Sequence, residues 1–215
     1  MSKPYREADL SDQLAQDRGW RLKEISDLKS AILSADPGLR QVLLRALVAI
    51  CYAHWEGSVR FSSRKYLEYV SLRKMQYGQL DRQFLRNYFL PRLASLSSSK
   101  ASVSERCDLV DDILNASGRR FSRVNEDLVN TRSNLNFDVF ADICLVCGIP
   151  VEPFADQETF INVVLLRRRN AIAHGEETLV SVEDLNIRSS QTVDLMRGFA
   201  DALENRIYLR GYMAA

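Results

Sequence analysis

The stretch from Leu39 to Arg73, LRQVLLRALVAICYAHWEGSVRFSSRKYLEYVSLR, decides the fold class. Leu44, Leu47, Val48, Cys51, Trp55, Val59, Tyr66 and Val70 recur at the 3.6-residue period of a helix. A periodic run this long predicts an unusually long helix with apolar positions along its length, which suits the centre of an all-α core. On its N-terminal side, Leu10, Leu14, Trp20, Leu22, Ile25, Leu28 and Ile32 predict a helix over Arg6 to Ala35, ended by Asp36-Pro37-Gly38. On its C-terminal side a third helix is expected over about Leu80 to Leu96, bent near Pro91, followed by a flexible loop from Ser95 to Glu105 in which a new helix starts.

Beyond a short amphipathic piece at Asp108–Leu114, Gly118 and the stretch NTRSNLN (Asn130–Asn136) mark irregular connections. Asn134 or Asn136 can cap the following helix, FDVFADICLVC, which Gly148 closes. Pro150 and Pro153 force a loop, and Asp156 is expected to cap the next helix, FINVVLLRRRNAIA. That segment is apolar on nearly every side and is expected to be buried, with Gly175 at its end. Ser181-Val182-Glu183-Asp184 resembles a capping box opening a last helix with apolar positions at Leu185, Val193, Met196, Phe199, Leu203 and Tyr208. The expectation is an all-α helical bundle, with residues 1–38 as an N-terminal helical extension and 39–215 as the main helical domain.

Composition agrees. Of 215 residues, 46% are apolar and 27% charged, which excludes disorder for most of the chain, and 9 glycines with 5 prolines are too few for a turn-rich β fold. The formal charge of +1 leaves no global field for a polyanion, so any such site must be local. MSKPYREADLSD carries no apolar targeting region, so a cytoplasmic protein is expected. The longest apolar run, Ala46 to Ala53, falls far short of the roughly 20 residues of a bilayer span, so no membrane-crossing segment is expected. Cys51, Cys107, Cys144 and Cys147 would then be free thiols. Cys144 and Cys147 have the spacing of half a zinc site, but no second pair follows, so two buried thiols are expected and no metal. No phosphate-cradling glycine loop, G-x-S-x-G or H-E-x-x-H is present, and no cofactor is implied.

The chain has two histidines, His54 and His174, and each sits in a cluster that requires explanation. In Arg167-Arg168-Arg169-Asn170-Ala171-Ile172-Ala173-His174-Gly175-Glu176, three guanidinium groups ride on an otherwise apolar helix, where a charge is costly unless a carboxylate or an anionic ligand such as phosphate meets it. Asn170 and His174 share a helix face, so the amide can orient the imidazole or contact the same ligand. Arg169 and His174 are five apart, about 140° around the axis. They converge on one phosphodiester only if His174 lies just outside the helix end, or if two copies of the motif meet across a symmetry axis. An imidazole that moves protons beside a fixed cation suits phosphodiester cleavage without a metal. The alternative is that His174 is a C-cap and the arginines pair with carboxylates.

On the long helix, His54 and Glu56 are about 200° apart around the axis and cannot serve one site. Glu56 either pairs locally with Arg60 or meets the Arg169 cluster as its counter-charge, whereas His54 reads as a satisfied core histidine. Between Arg60 and Arg92 lie eight basic and two acidic residues, a local +6 within which Arg60, Arg64, Lys65 and Arg73 are candidate RNA-binding residues. Phe61, Tyr66, Tyr69, Tyr77, Phe84, Tyr88 and Phe89 interleave with them, either as stacking platforms for single-stranded RNA or as core.

Arg169-Asn170-x-x-x-His174 within LLRRRNAIAHGE resembles the R-x(4 to 6)-H signature of the HEPN superfamily. Tyr52-Ala53-His54-Trp55-Glu56-Gly57, then Tyr66-Leu67-Glu68-Tyr69-Val70, and later Ser133-Asn134-Leu135 look like its prokaryotic MAE-type nuclease branch, a likeness spanning about Val42 to Glu177. The resemblance implies a helical bundle, dimerisation through the motif helices, and metal-independent endoribonuclease activity in defence or toxin–antitoxin systems, with a possible antitoxin partner. Its site would comprise Arg169, His174 and Asn170, supported by Glu56, Arg168 and His54. The alternative is a catalytically inactive helical module that binds RNA, nucleotide or protein.

Overall fold

The long apolar stretch folds as helix α2, Pro37–Leu72. Asp36 caps it by accepting from the backbone N–H groups of Gly38 and Leu39 at 3.0 Å, and Pro37 occupies the first turn, where its missing N–H costs nothing. All eight of its predicted apolar positions are buried. The computed structural model describes residues 3–98, 101–132, 134–176 and 179–214, apart from the side chains of Ser98 and Asp184. Around α2 pack α1 (Glu7–Ser34), α5 (Phe137–Cys147), a π-helical segment (Phe160–Arg167) continuing into α6 (Arg168–Ala173), and α7 (Glu183–Tyr208). Helices α3 (Arg82–Ser98) and α4 (Val103–Leu114) share a satellite cluster of Phe89, Leu109 and Ala116. The only extended pairings among the described residues are the isolated bridges Gln76–Arg120 and Leu80–Met213, so the fold is all-α.

Several local expectations need correction. By length and composition α2 does pass as a bilayer-crossing helix, because one 18-residue stretch of it holds no more than two charges; here half of that stretch is buried against neighbouring elements. Helix α3 runs through Pro91 to Ser98, so the predicted loop is shorter; its residues 99–100 lie outside the described residues. The new helix start is real: Ser102 and Glu105 form a reciprocal capping box. Asn136, not Asn134, caps α5. Asp156 caps nothing, since it lies inside a 3₁₀ turn, Glu152–Gln157, that leads into Phe160 without a side-chain cap. Helix α7 starts at Glu183 with Val182 at its N-cap position, and the capping box expected over Ser181–Asp184 involves the Asp184 side chain, which lies outside the described residues. Tyr208 is exposed while Ile207 is buried in its place, and Trp20 is half exposed on α1.

The segment expected to be buried on every side is not. Phe160, Ile161 and Leu165 are buried, but Val163 is exposed and α6 has no buried residue. The segment lies on the outside of α2, so only one of its faces meets the core.

Helix α1 shares the core of α2 through Leu10, Leu14, Ile25 and Ile32, and it also brings charge into the contact. Arg21 donates to both oxygens of Asp17 at 2.8 and 2.9 Å; both residues are buried. The guanidinium lies 4.5 Å from the Trp20 ring and fills the space over Gly57, where an added Cβ would sit 2.7 Å from a terminal nitrogen. A glycine in mid-helix costs about 1 kcal/mol against alanine, and here it makes room for the ion pair. His54 Nδ1 lies 3.5 Å from Arg21 and Nε2 lies 2.9 Å from Glu24. Burial pushes the His54 imidazole below its ordinary value of 6.5, Glu24 opposes the shift and Arg21 adds to it.

A histidine held neutral in the fold takes its proton more readily once unfolded. Stability from His54 is therefore complete above pH 6.5 and falls as pH drops from there toward the lower folded-state value. Urea denaturation between about pH 5 and 8 should show this slope in the natural chain and a flatter one in His54→Gln; equal slopes would contradict the burial of a neutral imidazole.

Candidate functional site

Three elements far apart in sequence meet at Arg169. Its guanidinium lies 4.1 Å from the centre of the Tyr52 ring on α2, a cation–π contact, and donates to Asn134 Oδ1 at 3.4 Å. Tyr52 is itself fixed, because its hydroxyl accepts the backbone N–H of Leu135 at 2.6 Å. Burial raises the Tyr52 pKa, the Leu135 N–H and Arg169 pull it back, and nearby Glu56 adds to the rise. One turn along α2, Glu56 accepts from the Thr131 hydroxyl. The irregular stretch before α5 is thus tied at Thr131, Asn134 and Leu135 to the site; Ser133 lies outside the described residues. Asn162 of the π-helical segment accepts the backbone N–H of Phe137 at 2.8 Å and joins that segment to the start of α5.

His174 stands just outside the helix end, the first of the two geometries the spacing permits. The α6 terminus is a Schellman turn: Glu176 N–H donates to Ala171 O at 2.9 Å and Gly175 N–H to Ile172 O at 3.1 Å, with Gly175 at φ +78°. His174 is the C-cap, its ring exposed and without a hydrogen bond to any described residue. Asn170 contributes its backbone carbonyl to the His174 N–H at 2.9 Å, and no side-chain hydrogen bond joins the two among the described residues. Arg168 is half-buried, with one terminal nitrogen enclosed and lacking a partner among the described residues.

The two faces of α2 separate as the helical angle requires. His54 points into the α1 contact, where Arg21 and Glu24 engage it, and is not at the Arg169 site. Glu56 faces that site but takes neither predicted partner; Thr131 is its recorded contact. Tyr52 and Asn134 hold Arg169, although the sequence motif assigned them no role. The available signal was spacing, since Tyr52 and Glu56 are four apart and share one face.

The basic region is only partly a free surface. Arg60 is exposed, Arg64 pairs with Glu126, Lys65 contacts Glu68 at 2.9 Å, and Arg73 donates to the Tyr5 carbonyl and lies 4.6 Å from the Tyr69 ring. Its aromatics are mostly core: Tyr66, Tyr69, Tyr77, Phe84 and Phe89 are buried, and Tyr88 alone of the seven is exposed. Cys144 and Cys147 are buried thiols; burial pushes Cys147 up to about 12 and Cys144 further, which leaves both as unreactive thiols. No group of three or more potential metal ligands occurs among the described residues.

A family model described as RiboL-PSP-HEPN matches residues 16–205, from within α1 to near the end of α7. No curated protein and no solved structure matches the chain. With nearly the whole chain matched, this protein belongs to the RiboL-PSP-HEPN family and so to the HEPN superfamily of helical, RNA-related modules.

Proposed function

We infer that this protein is a metal-independent endoribonuclease, cytoplasmic, and part of a toxin–antitoxin or defence system in which a protein antitoxin restrains it. The observation that carries this reading is the convergence of Tyr52 and Asn134 on the Arg169 guanidinium, five residues before an imidazole open to solvent. The enclosed terminal nitrogen of the adjacent Arg168, without a partner among the described residues, supports an anionic ligand, because a buried N–H without an acceptor is costly.

In the proposed reaction the ribose 2′-oxygen forms a bond to phosphorus as the bond from phosphorus to the 5′-oxygen breaks. The products are a 2′,3′-cyclic phosphate and a 5′-hydroxyl. His174 takes the proton from the 2′-OH or delivers one to the departing oxygen. Arg169, oriented by Tyr52 and Asn134, neutralises the charge that builds on the phosphoryl oxygens, and Asn170 contacts the same ligand. DNA lacks the internal nucleophile and is not a substrate.

One imidazole serves one of the two proton transfers, and a second copy of the motif in a homodimer serves the other. The exposed face of the motif segment, with Val163, and the exposed Leu179 and Ile187 on the chain that follows it, favour such a pairing. A monomer in sedimentation at micromolar concentration, fully active, would contradict the dimer.

Because His174 is exposed, His174→Ala should leave the melting temperature unchanged while cleavage of RNA in EDTA falls at least about 100-fold. Arg169→Ala should lower the rate by about 100- to 1000-fold. Undiminished cleavage by folded His174→Ala eliminates the assignment, and binding without cleavage by the natural chain favours an inactive RNA-binding module.

A further inference from the structure

Between α2, α3 and the extended segment after residue 118 lies a cavity of about 330 Å³, within the range of small-ligand sites. Its walls include the rings of Tyr77, Phe84, Tyr88 and Phe121, and Arg120 and Arg123 stand at its edge. Both arginines are exposed and form no ion pair or side-chain hydrogen bond with a described residue. This is a different place from the Arg169 site, and of the aromatics read from the sequence as either stacking platforms or core, Tyr77, Phe84 and Tyr88 line it.

The pocket is held in shape before anything enters it. Phe121 N–H donates to Met75 O and Tyr77 N–H to Arg119 O, both at 2.9 Å, which pins the segment as an isolated bridge. Phe121, the inward residue, packs 5.4 Å from Phe84 and 5.9 Å from Tyr77 between ring centres. Tyr88 is fixed by Arg119, which donates to its hydroxyl at 3.1 Å and to Asp112 at 2.7 Å, while Arg92 holds the other oxygen of Asp112. These contacts hold the Asp112 carboxyl below the usual carboxylate range, with Arg92 the larger cause.

Two further features limit what the pocket can take. Ser122, Arg123 and Val124 line the cavity and form no backbone–backbone hydrogen bond among the described residues, so their N–H and C=O groups are available to a ligand there. Burial pushes the Tyr77 hydroxyl up to about 12, so it remains a donor at neutral pH. A flat ligand with an aromatic face, polar edges and adjoining negative charge matches this set; a purely apolar ligand would leave the backbone groups and both arginines unused.

We propose that this pocket receives one unpaired base of the RNA substrate, stacked on Tyr88, with its edge met by the Ser122–Val124 backbone and its flanking phosphates by Arg120 and Arg123. The proposal rests on the reading that the chain acts on RNA, and adds that it selects single-stranded segments at a point away from the cleavage site. A second cavity, bordered by Arg64 and Lys65, shares Ser122, Arg123 and Val124 with the first.

The test uses the full chain carrying His174→Ala and single-stranded RNA probes of about twelve nucleotides containing 5-iodouridine, irradiated and mapped by mass spectrometry. The proposal predicts adducts at Tyr88, and it predicts that Ser122→Trp, which plugs the mouth from an exposed position, abolishes them and weakens binding about ten-fold with an unchanged circular dichroism spectrum. Should Ser122→Trp misfold, Arg120→Ala/Arg123→Ala serves instead and should weaken binding by a similar factor. Adducts confined to the Arg169 region, or binding by the folded variants within two-fold of the parent, overturns the pocket while leaving the ribonuclease reading intact. Adducts at Tyr88 with no cleavage by the natural chain sustain the pocket and overturn the ribonuclease. Tighter binding of free nucleoside monophosphates than of the RNA probes overturns it in favour of a mononucleotide site.

Discussion

The stacking of the Arg169 guanidinium on the Tyr52 ring is the contact on which the site's architecture depends. It joins the motif helix to the central helix, and Tyr52 in turn holds the backbone of Leu135 while Asn134 meets the same guanidinium. An isolated arginine at the end of an apolar segment would be a costly charge. One clamped between a ring and an amide has lost its rotamer freedom in advance and can meet a phosphate in a fixed orientation.

Helix α2 carries this arrangement because its two polar faces do different work. One face brings His54 against the buried Asp17–Arg21 pair of α1, and the missing side chain at Gly57 makes space for that guanidinium. The other carries Tyr52 and Glu56 toward the segment before α5. The first fixes where α1 lies, with stability that depends on a neutral imidazole. The second shapes the site. A charge change at His54 would therefore strike packing, whereas a change at Glu56 would act through Thr131 on the loop that presents Asn134.

Much of this was legible in the residues. All eight positions that the 3.6 period named on α2 are buried, although Tyr52, Leu67 and Tyr69 are buried there as well, and the left-handed Gly148 and Gly175 closed α5 and α6 where glycine was expected. The 200° between His54 and Glu56 already separates their roles in the sequence. What periodicity could not supply was how much of an apolar segment its neighbours cover: Phe160–Ala173 looks enclosed in sequence but lies on the outside of α2. It also could not tell that the aromatics between Phe61 and Phe89 would turn inward, leaving only Tyr88 exposed, because a tyrosine at helical spacing fits a core and a stacking platform equally well. Nor could it pair Tyr52 with Arg169 or the loop at Asn134 with either, since these contacts cross long sequence separations.

The account's central claim is that an arginine–histidine pair directs the ribose 2′-hydroxyl onto the neighbouring phosphorus. The most direct measurement is the chemistry of the cut ends, obtained from RNA incubated with the natural chain in EDTA, beside a matched strand with a single 2′-deoxy residue at the cleavage point. The account predicts 2′,3′-cyclic phosphate and 5′-hydroxyl ends on the first and no cut at that point on the second; 5′-phosphate ends, or unimpaired cutting at the deoxy position, would contradict it.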